Sequence, residues 1–150
     1  MSFGWINWIN LAAVADLVLV NVIAAGKKQA GSFRSKHTAI NVLEQIGRYG
    51  CMFFMIVPIG LPDWKPGFLK FGFHSVAEMI IWLCLTILLT IIYGILWLKK
   101  AKGGRGVLYG LAIVPVILFL MNGILLRHTA LIVTALIFGV FHVAIVRENA

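Results

Sequence analysis

Two side chains of opposite charge, Glu44 and Arg48, lie four residues apart in a mainly apolar stretch of the chain. In a helix they share one face, and an acidic residue four positions before a basic one is the favourable order for an ion pair. The carboxylate can accept hydrogen bonds or carry a proton, whereas the guanidinium stays charged. A charged side chain at the centre of a membrane costs about 2.5–3.5 kcal/mol on the mildest insertion scale, so such residues commonly serve a function. If this stretch crosses a membrane, the pair is the first candidate for a functional site.

Further polar residues are predicted at a similar height in other segments. Asn41 lies on the helical face of Glu44, and His142 lies in the last apolar segment, where an imidazole can carry a proton near neutral pH. Asp16, in the first segment, is predicted slightly further out and within reach of Arg48. We therefore predict one buried polar site for a small solute or a proton, formed by Asp16, Asn41, Glu44, Arg48 and His142. A similar height in the membrane does not by itself show that these residues bind a ligand, and two alternatives stay open. In one, the polar residues form an internally neutralised contact that joins helices. In the other, His142 is only a hydrogen-bonded packing residue.

The composition places these residues in a membrane protein. The chain has 150 residues, of which 61% are hydrophobic and 12% charged, with a mean hydropathy of +0.99. Soluble domains are about one quarter charged. A membrane-spanning helix needs about 20 mainly apolar residues, and five such windows are present, at 5–25, 39–60, 75–98, 107–126 and 130–147. The sequence therefore predicts an all-α integral membrane bundle of five transmembrane helices, folded as a single transmembrane domain over residues 1–150.

The basic residues predict how this bundle is oriented. If every window spans the membrane, nine of the 13 Lys and Arg residues fall on one side and three on the other. The nine are Lys27, Lys28, Arg34, Lys36, Lys99, Lys100, Lys102, Arg105 and Arg147, and the three are Lys65, Lys70 and Arg127. Because basic loops stay in the cytoplasm, the N-terminus is predicted outside, and the C-terminus and the polar site on the cytoplasmic side. The basic loops are also expected to contact the headgroups of the lipid bilayer.

Several other classes of site have no pattern in the sequence. The net charge of +8 lacks the spaced aromatic and basic residues of a nucleic-acid-binding surface, so no nucleic-acid partner is predicted. Cys51 and Cys84 form no CxxC, and neither HExxH nor GxSxG is present, so we predict no metal site and no catalytic residue. The histidines are too scattered for paired haem ligands, and no cofactor is expected. The first window has no basic n-region and is expected to be retained rather than cleaved as a signal peptide.

The segment from Glu44 to Met52 reads EQIGRYGCM and follows a basic loop. In this it resembles a stretch of small multi-pass membrane proteins of Gram-positive bacteria that share an EQIGRYG-like segment. The resemblance is confined to this part of the chain, and it implies a location in a bacterial plasma membrane. It implies no activity and gives no residue a role.

Three classes of function are compatible with a polar site inside a helix bundle. The first is a transporter- or channel-like protein that uses the site for a small solute or a proton, with a homo-oligomer possible. The second is a non-catalytic structural or regulatory subunit whose polar groups bind a partner membrane protein. The third, a membrane-embedded enzyme acting on a lipid or quinone, ranks last because a nucleophile or metal motif is missing. Transport that depends on Glu44 or Asp16, co-purification of a partner, and turnover in detergent would distinguish the three classes.

Overall fold

The computed structural model describes residues 6–26, 35–57, 73, 75–100 and 104–149, and within them it contains five α-helices and no β-strand. The helices are α1 (Trp8–Gly26), α2 (Thr38–Ile56), α3 (Val76–Lys99), α4 (Arg105–Leu125) and α5 (Thr129–Asn149). The predicted all-α fold is therefore confirmed. Some of the residues used to predict the orientation lie outside the described residues, namely Lys27, Lys28, Arg34, Lys65, Lys70 and Lys102.

In the described part of the chain, three helices are long and apolar enough to cross a membrane, namely α3, α4 and α5. They contain 24, 21 and 21 residues. Helix α1 is apolar over the shorter stretch Trp8–Ile23, and α2 carries Glu44 and Arg48 within its 19 residues. The protein therefore has apolar helices of membrane-spanning length, whereas five spans stay a prediction.

The ends of α2 and α3 follow from local chemistry. The predicted window for α2 runs to residue 60, but the helix ends at Ile56. A residue before proline is disfavoured in helical backbone, and Val57, which precedes Pro58, is extended with φ −109° and ψ 112°. Helix α3 begins after Ser75, whose Oγ accepts a hydrogen bond from the backbone N–H of Glu78 at 3.2 Å. Such a cap satisfies one of the N–H groups that a helix leaves unpaired at its start.

The helices pack side by side in the order α1, α2, α5, α4 and α3, and α3 in turn packs against α1. They therefore surround an interior, and α2 also reaches α4 across it. One end of the bundle, called the basic end below, is where α1, α3 and α5 end and α2 and α4 begin. The described basic residues at that end are Lys36, Lys99, Lys100, Arg105 and Arg147. The opposite end holds the start of α1 and the connection between α4 and α5.

Side chains fill the half of the interior that faces the opposite end. Cys51, Leu118 and Leu131 are fully buried there. Among them lies one polar pair, in which Trp82 Nε1 donates to Asn122 Oδ1 at 2.6 Å and Asn122 Nδ2 donates to the Leu118 carbonyl at 2.9 Å. Buried polar groups are stable when they are hydrogen-bonded in this way. Packed side chains of the described residues thus occupy the interior towards the opposite end.

His128, between α4 and α5, is buried and caps the start of α5. Its Nδ1 accepts a hydrogen bond from the backbone N–H of Leu131 at 3.2 Å, so this nitrogen must be unprotonated. Burial lowers the pKa of His128 below its ordinary value of 6.5. In the folded protein the imidazole therefore resists protonation more than it does in the unfolded chain.

This cap predicts a pH-dependent stability. Protons bind His128 more readily in the unfolded state, so its contribution is present above pH ~6.5 and is lost as the pH falls from there towards the lower folded pKa. We expect melting temperatures in detergent to fall more steeply between about pH 7 and pH 5 for the wild type than for His128→Asn, whose cap does not titrate. Between these pH values, the wild type should lose about 1 kcal/mol more unfolding free energy than His128→Asn does. Parallel curves of melting temperature against pH for the two proteins would contradict the cap.

Candidate ligand-binding cavity

Three of the predicted site residues meet at the carboxylate of Glu44. Glu44 is only 2% exposed, and its Oε1 accepts a hydrogen bond from Nη2 of Arg48, one turn further along α2. Nδ1 of His142, on α5, lies 2.9 Å from the same oxygen. Because an ionised carboxylate only accepts hydrogen bonds, Nδ1 of His142 is the donor. A buried acidic group therefore has two partners, one from its own helix and one from another.

Glycines make this meeting of α2 and α5 possible. A Cβ atom on Gly47 would lie 2.6 Å from the backbone nitrogen of Phe138, and one on Gly50 would lie 2.9 Å from Cγ2 of Thr134. Both distances are shorter than normal contacts. Small residues let the backbones of neighbouring helices approach closely, and here that approach brings Glu44 within hydrogen-bond distance of His142.

Phe138 orients the two basic partners of Glu44. Its ring stacks on the imidazole of His142, with a centroid separation of 4.6 Å and an angle of 25°. Cζ of Arg48 lies 5.9 Å from the same ring centroid, a distance at which the ring face attracts a cation. Phe138 is buried. Its ring therefore limits the positions that the imidazole and the guanidinium can take.

Asn41, another predicted site residue, is used mainly to organise the start of α2. Its Oδ1 accepts from the backbone N–H of Ser35 at 2.9 Å, and its Nδ2 donates to the carbonyls of Ser35 at 2.8 Å and His37 at 3.3 Å. Both amide hydrogens are thus engaged by the backbone. Asn41 lines the cavity described below, but its contacts suit a positioning role.

Asp16 does not join the group around Glu44. Within the described residues it makes no hydrogen bond or ion pair, and it does not line the cavity. The inward stripe of α1 runs through Asn10, Val14 and Leu17, and Asp16 lies one position, or about 100° of helix rotation, from Leu17. The residue that α1 places in the site is Asn21, whose Nδ2 donates to the hydroxyl of Tyr93 at 3.0 Å.

The group around Glu44 lines a cavity of about 840 Å³ in the half of the bundle near the basic end. Every helix contributes to its wall. The lining residues used below are Asn21, Val42, Glu44, Ile46, Arg48, Tyr49, Tyr93, Trp97, Lys100, Leu108, Leu111, Ala112, His142, Ile145 and Val146. This volume lies within the range of about 300–1,000 Å³ that is common for small-molecule sites.

The cavity has a polar wall and an apolar wall. Glu44, Arg48 and His142 form the polar wall, whereas α4 and the end of α5 supply only aliphatic side chains to the lining. At the basic end, Nζ of Lys100 lies 4.1 Å from the ring centroid of Trp97. A mixed lining of this kind suits a ligand that has both a polar and an apolar part.

The cavity opens along α2. Val42, Ile46 and Tyr49 line it and are also exposed at the surface of the bundle. The hydrogen bonds between α1 and α2 lie far from there, at the opposite end, where Asn10 Nδ2 donates to the Met55 carbonyl at 3.0 Å. The described parts of α1 and α2 thus hold together at one end and leave an opening beside the polar wall.

Sequence reasoning missed Tyr93, Trp97 and Lys100 as lining residues. Tyr93 is the single tyrosine of a mainly aliphatic helix, which is a weak signal, and in the sequence Lys100 bears only on the orientation. Which face of α3 meets the interior depends on its neighbours, and helix periodicity does not specify them. Among the described residues, no three His, Cys, Asp or Glu side chains are grouped closely enough to hold a metal ion.

Comparisons with known protein families, with characterised proteins and with solved structures find no match to this chain.

Proposed function

We propose that this chain is a small transporter- or channel-like protein of a bacterial plasma membrane that binds a small solute or a proton beside Glu44. The single observation that supports it best is the cavity of about 840 Å³. It lies next to a buried carboxylate, it opens along α2, and packed side chains of the described residues occupy the interior beyond it. Ionisable groups at membrane depth typically mark pathways for ions or solutes.

In this proposal all five helices cross the membrane, with the N-terminus outside and the basic end in the cytoplasm. The 19 residues of α1 and of α2 correspond to roughly 28 Å at 1.5 Å per residue, close to the thickness of a bilayer core. The described basic residues at the helix ends also favour this orientation, since Arg127 alone among them lies at the opposite end. The cavity would then face the cytoplasm.

Thiol labelling from each side of the membrane tests this proposal. In a chain with Cys51→Ala and Cys84→Ala, a cysteine at Leu111 would line the cavity. We expect a membrane-impermeant maleimide to label Leu111→Cys in inside-out vesicles and not in right-side-out vesicles, because water enters the cavity from the cytoplasmic side only.

Ile113→Cys is the matched control for that experiment. Ile113 is two residues away on the same helix, and it is exposed on the outer surface of the bundle, where lipid should shield it. It should remain unlabelled in both preparations. Labelling of Leu111→Cys from the outside would contradict the orientation. Absence of labelling from both sides would contradict a water-accessible cavity and would favour the structural or regulatory subunit instead.

A further inference from the structure

We infer that the ligand of this cavity is an organic anion, a carboxylate or phosphate on an apolar body, and that Arg48 binds its charged group. The inference rests on the proposed function and adds the chemical class of the solute. Three observations support it: the charges of the lining, the hydrogen-bond donors of Arg48 that have no partner among the described residues, and the apolar wall opposite Arg48.

The charges of the cavity wall favour an anion. The charged side chains of the described lining are Glu44, Arg48 and Lys100, with His142 as a further titratable base. Oε1 of Glu44 is already engaged, since it has both Arg48 and His142 as partners. A cationic ligand would have to compete with those partners for Oε1 and would meet the positive charge of Arg48, whereas an anion would meet hydrogen-bond donors on Arg48.

Arg48 has hydrogen-bond donors left for such an anion. Of the three nitrogens of its guanidinium, the described residues supply a hydrogen-bond partner for Nη2 alone. The side chain is 34% exposed and lines the cavity. Glu44 and the ring of Phe138 hold it in place, so a ligand would have little side-chain entropy to remove. Guanidinium groups bind carboxylates and phosphates through paired hydrogen bonds.

The remainder of the cavity fits an apolar body. Opposite Arg48 the wall is aliphatic, with Leu108 and Leu111 from α4 and Ile145 from α5. The opening along α2 passes Val42 and Ile46, which are exposed and apolar. An inorganic anion would leave the aliphatic wall of the cavity against water, whereas burying that wall against a ligand is favourable by about 25 cal/mol per Å². The geometry therefore suits an amphipathic anion better than a bare ion.

Three probes with the same apolar body test the class of ligand. We would measure binding of octanoate, octan-1-ol and octyltrimethylammonium to the protein in phosphatidylcholine nanodiscs by calorimetry, with empty nanodiscs as the blank for partitioning into lipid. Octanoate should bind saturably and at least about tenfold more tightly than the other two, a factor that corresponds to 1.4 kcal/mol. Equal or tighter binding of the cation would overturn the inference.

Two substitutions in the polar wall make opposite predictions. Arg48→Gln should weaken octanoate binding by about tenfold or more, because it removes a charge-assisted hydrogen bond. Glu44→Gln should strengthen it, because the glutamine oxygen can still accept a hydrogen bond from the guanidinium while the negative charge that competes with the ligand is removed. A site that used Glu44 to bind a cation or a proton would instead lose its function in Glu44→Gln. Weaker octanoate binding in that variant would overturn the inference even if Arg48→Gln failed to fold.

Arg127→Gln is the matched control. Arg127 also pairs with a glutamate, with Nη2 3.1 Å from Oε1 of Glu78, and it is 36% exposed. It lies at the opposite end of the bundle, away from the cavity. Octanoate binding should be unchanged in this variant. If Arg127→Gln weakens binding as much as Arg48→Gln does, then octanoate responds to net charge and the site is wrong.

The source of the anion is settled by adding phosphatidylglycerol to the nanodiscs. Loss of octanoate binding would identify the occupant as an anionic lipid, and retention would identify a free organic acid. Both are anions in the same site.

The inference can be contradicted without contradicting the proposed function. If the maleimide labels Leu111→Cys from the cytoplasmic side but octanoate does not bind, the accessible cavity stands and the anion assignment falls.

Discussion

Replacing Arg48 with alanine is expected to lower the free energy of unfolding by about 3–5 kcal/mol, the usual loss when a buried charge loses its charged partner. Glu44 stays 2% exposed in a site shaped for two partners and is left with His142 alone. The cost therefore comes from the carboxylate that remains more than from the contact that is lost. Unfolding in mixed detergent micelles, followed by circular dichroism, measures it.

The same experiment on Arg127→Ala provides the comparison. The pair of Arg127 and Glu78 is about one third exposed on both sides, and ion pairs with that much access to water contribute only about 0–1 kcal/mol. The double variant Glu44→Gln with Arg48→Gln should regain most of the stability, since it leaves no unpaired charge. If Arg48→Ala and Arg127→Ala unfold at the same detergent fraction, Glu44 does not depend on its guanidinium partner.

A methyl group at Gly47 is expected to destabilise the protein by about 1–3 kcal/mol, the range for overpacking a close contact. The new Cβ would lie 2.6 Å from the backbone nitrogen and 2.8 Å from Cα of Phe138. Backbone atoms cannot rotate away as a side chain can, so α2 and α5 must separate. That separation also lengthens the contact between Glu44 and His142, one turn away.

Gly94→Ala is the matched control, because a Cβ atom at Gly94 meets nothing within 4 Å. There alanine should stabilise α3 by up to about 1 kcal/mol through its higher helix propensity. Melting temperatures of the two variants should therefore move in opposite directions from the wild type. A Gly47→Ala variant as stable as Gly94→Ala would show that α2 and α5 do not pack through this glycine.

Much of the fold could be predicted because apolar length is a local property. The window 107–126 corresponds to α4 at Arg105–Leu125, and the window 130–147 to α5 at Thr129–Asn149. The predicted end of α2, at residue 60, is too late, because the apolar pattern continues past Ile56 whereas Val57, which precedes Pro58, is extended. Hydropathy also predicts five spans, and α2 is less apolar than the other helices because one of its faces carries Asn41, Glu44 and Arg48.

The candidate site could be predicted only in part. The spacing of Glu44 and Arg48 fixes their contact within one helix, so this pair was readable from the sequence. His142 was placed at the right height, but its position next to Glu44 depends on which helices are neighbours. Because the sequence does not show which helices are neighbours, it predicts Asp16 in the site and does not predict Tyr93 there. Helical periodicity shows which residues share one face of a helix. Which helices are neighbours depends on close contacts between them, such as the one at Gly47.

The contact between Glu44 and His142 has a consequence for the order in which the protein is made. The two residues are 98 positions apart in the chain, a stretch that a ribosome synthesises in roughly 5–20 s at about 5–20 residues per second. In the proposed topology, α2 enters the membrane during translation while its buried carboxylate still lacks the partner that α5 will supply. Over that interval Arg48 must neutralise Glu44 alone, within a single helix. Arg48 is thus the first partner of Glu44 during synthesis of the chain, and α5, which is translated later, completes the group with His142.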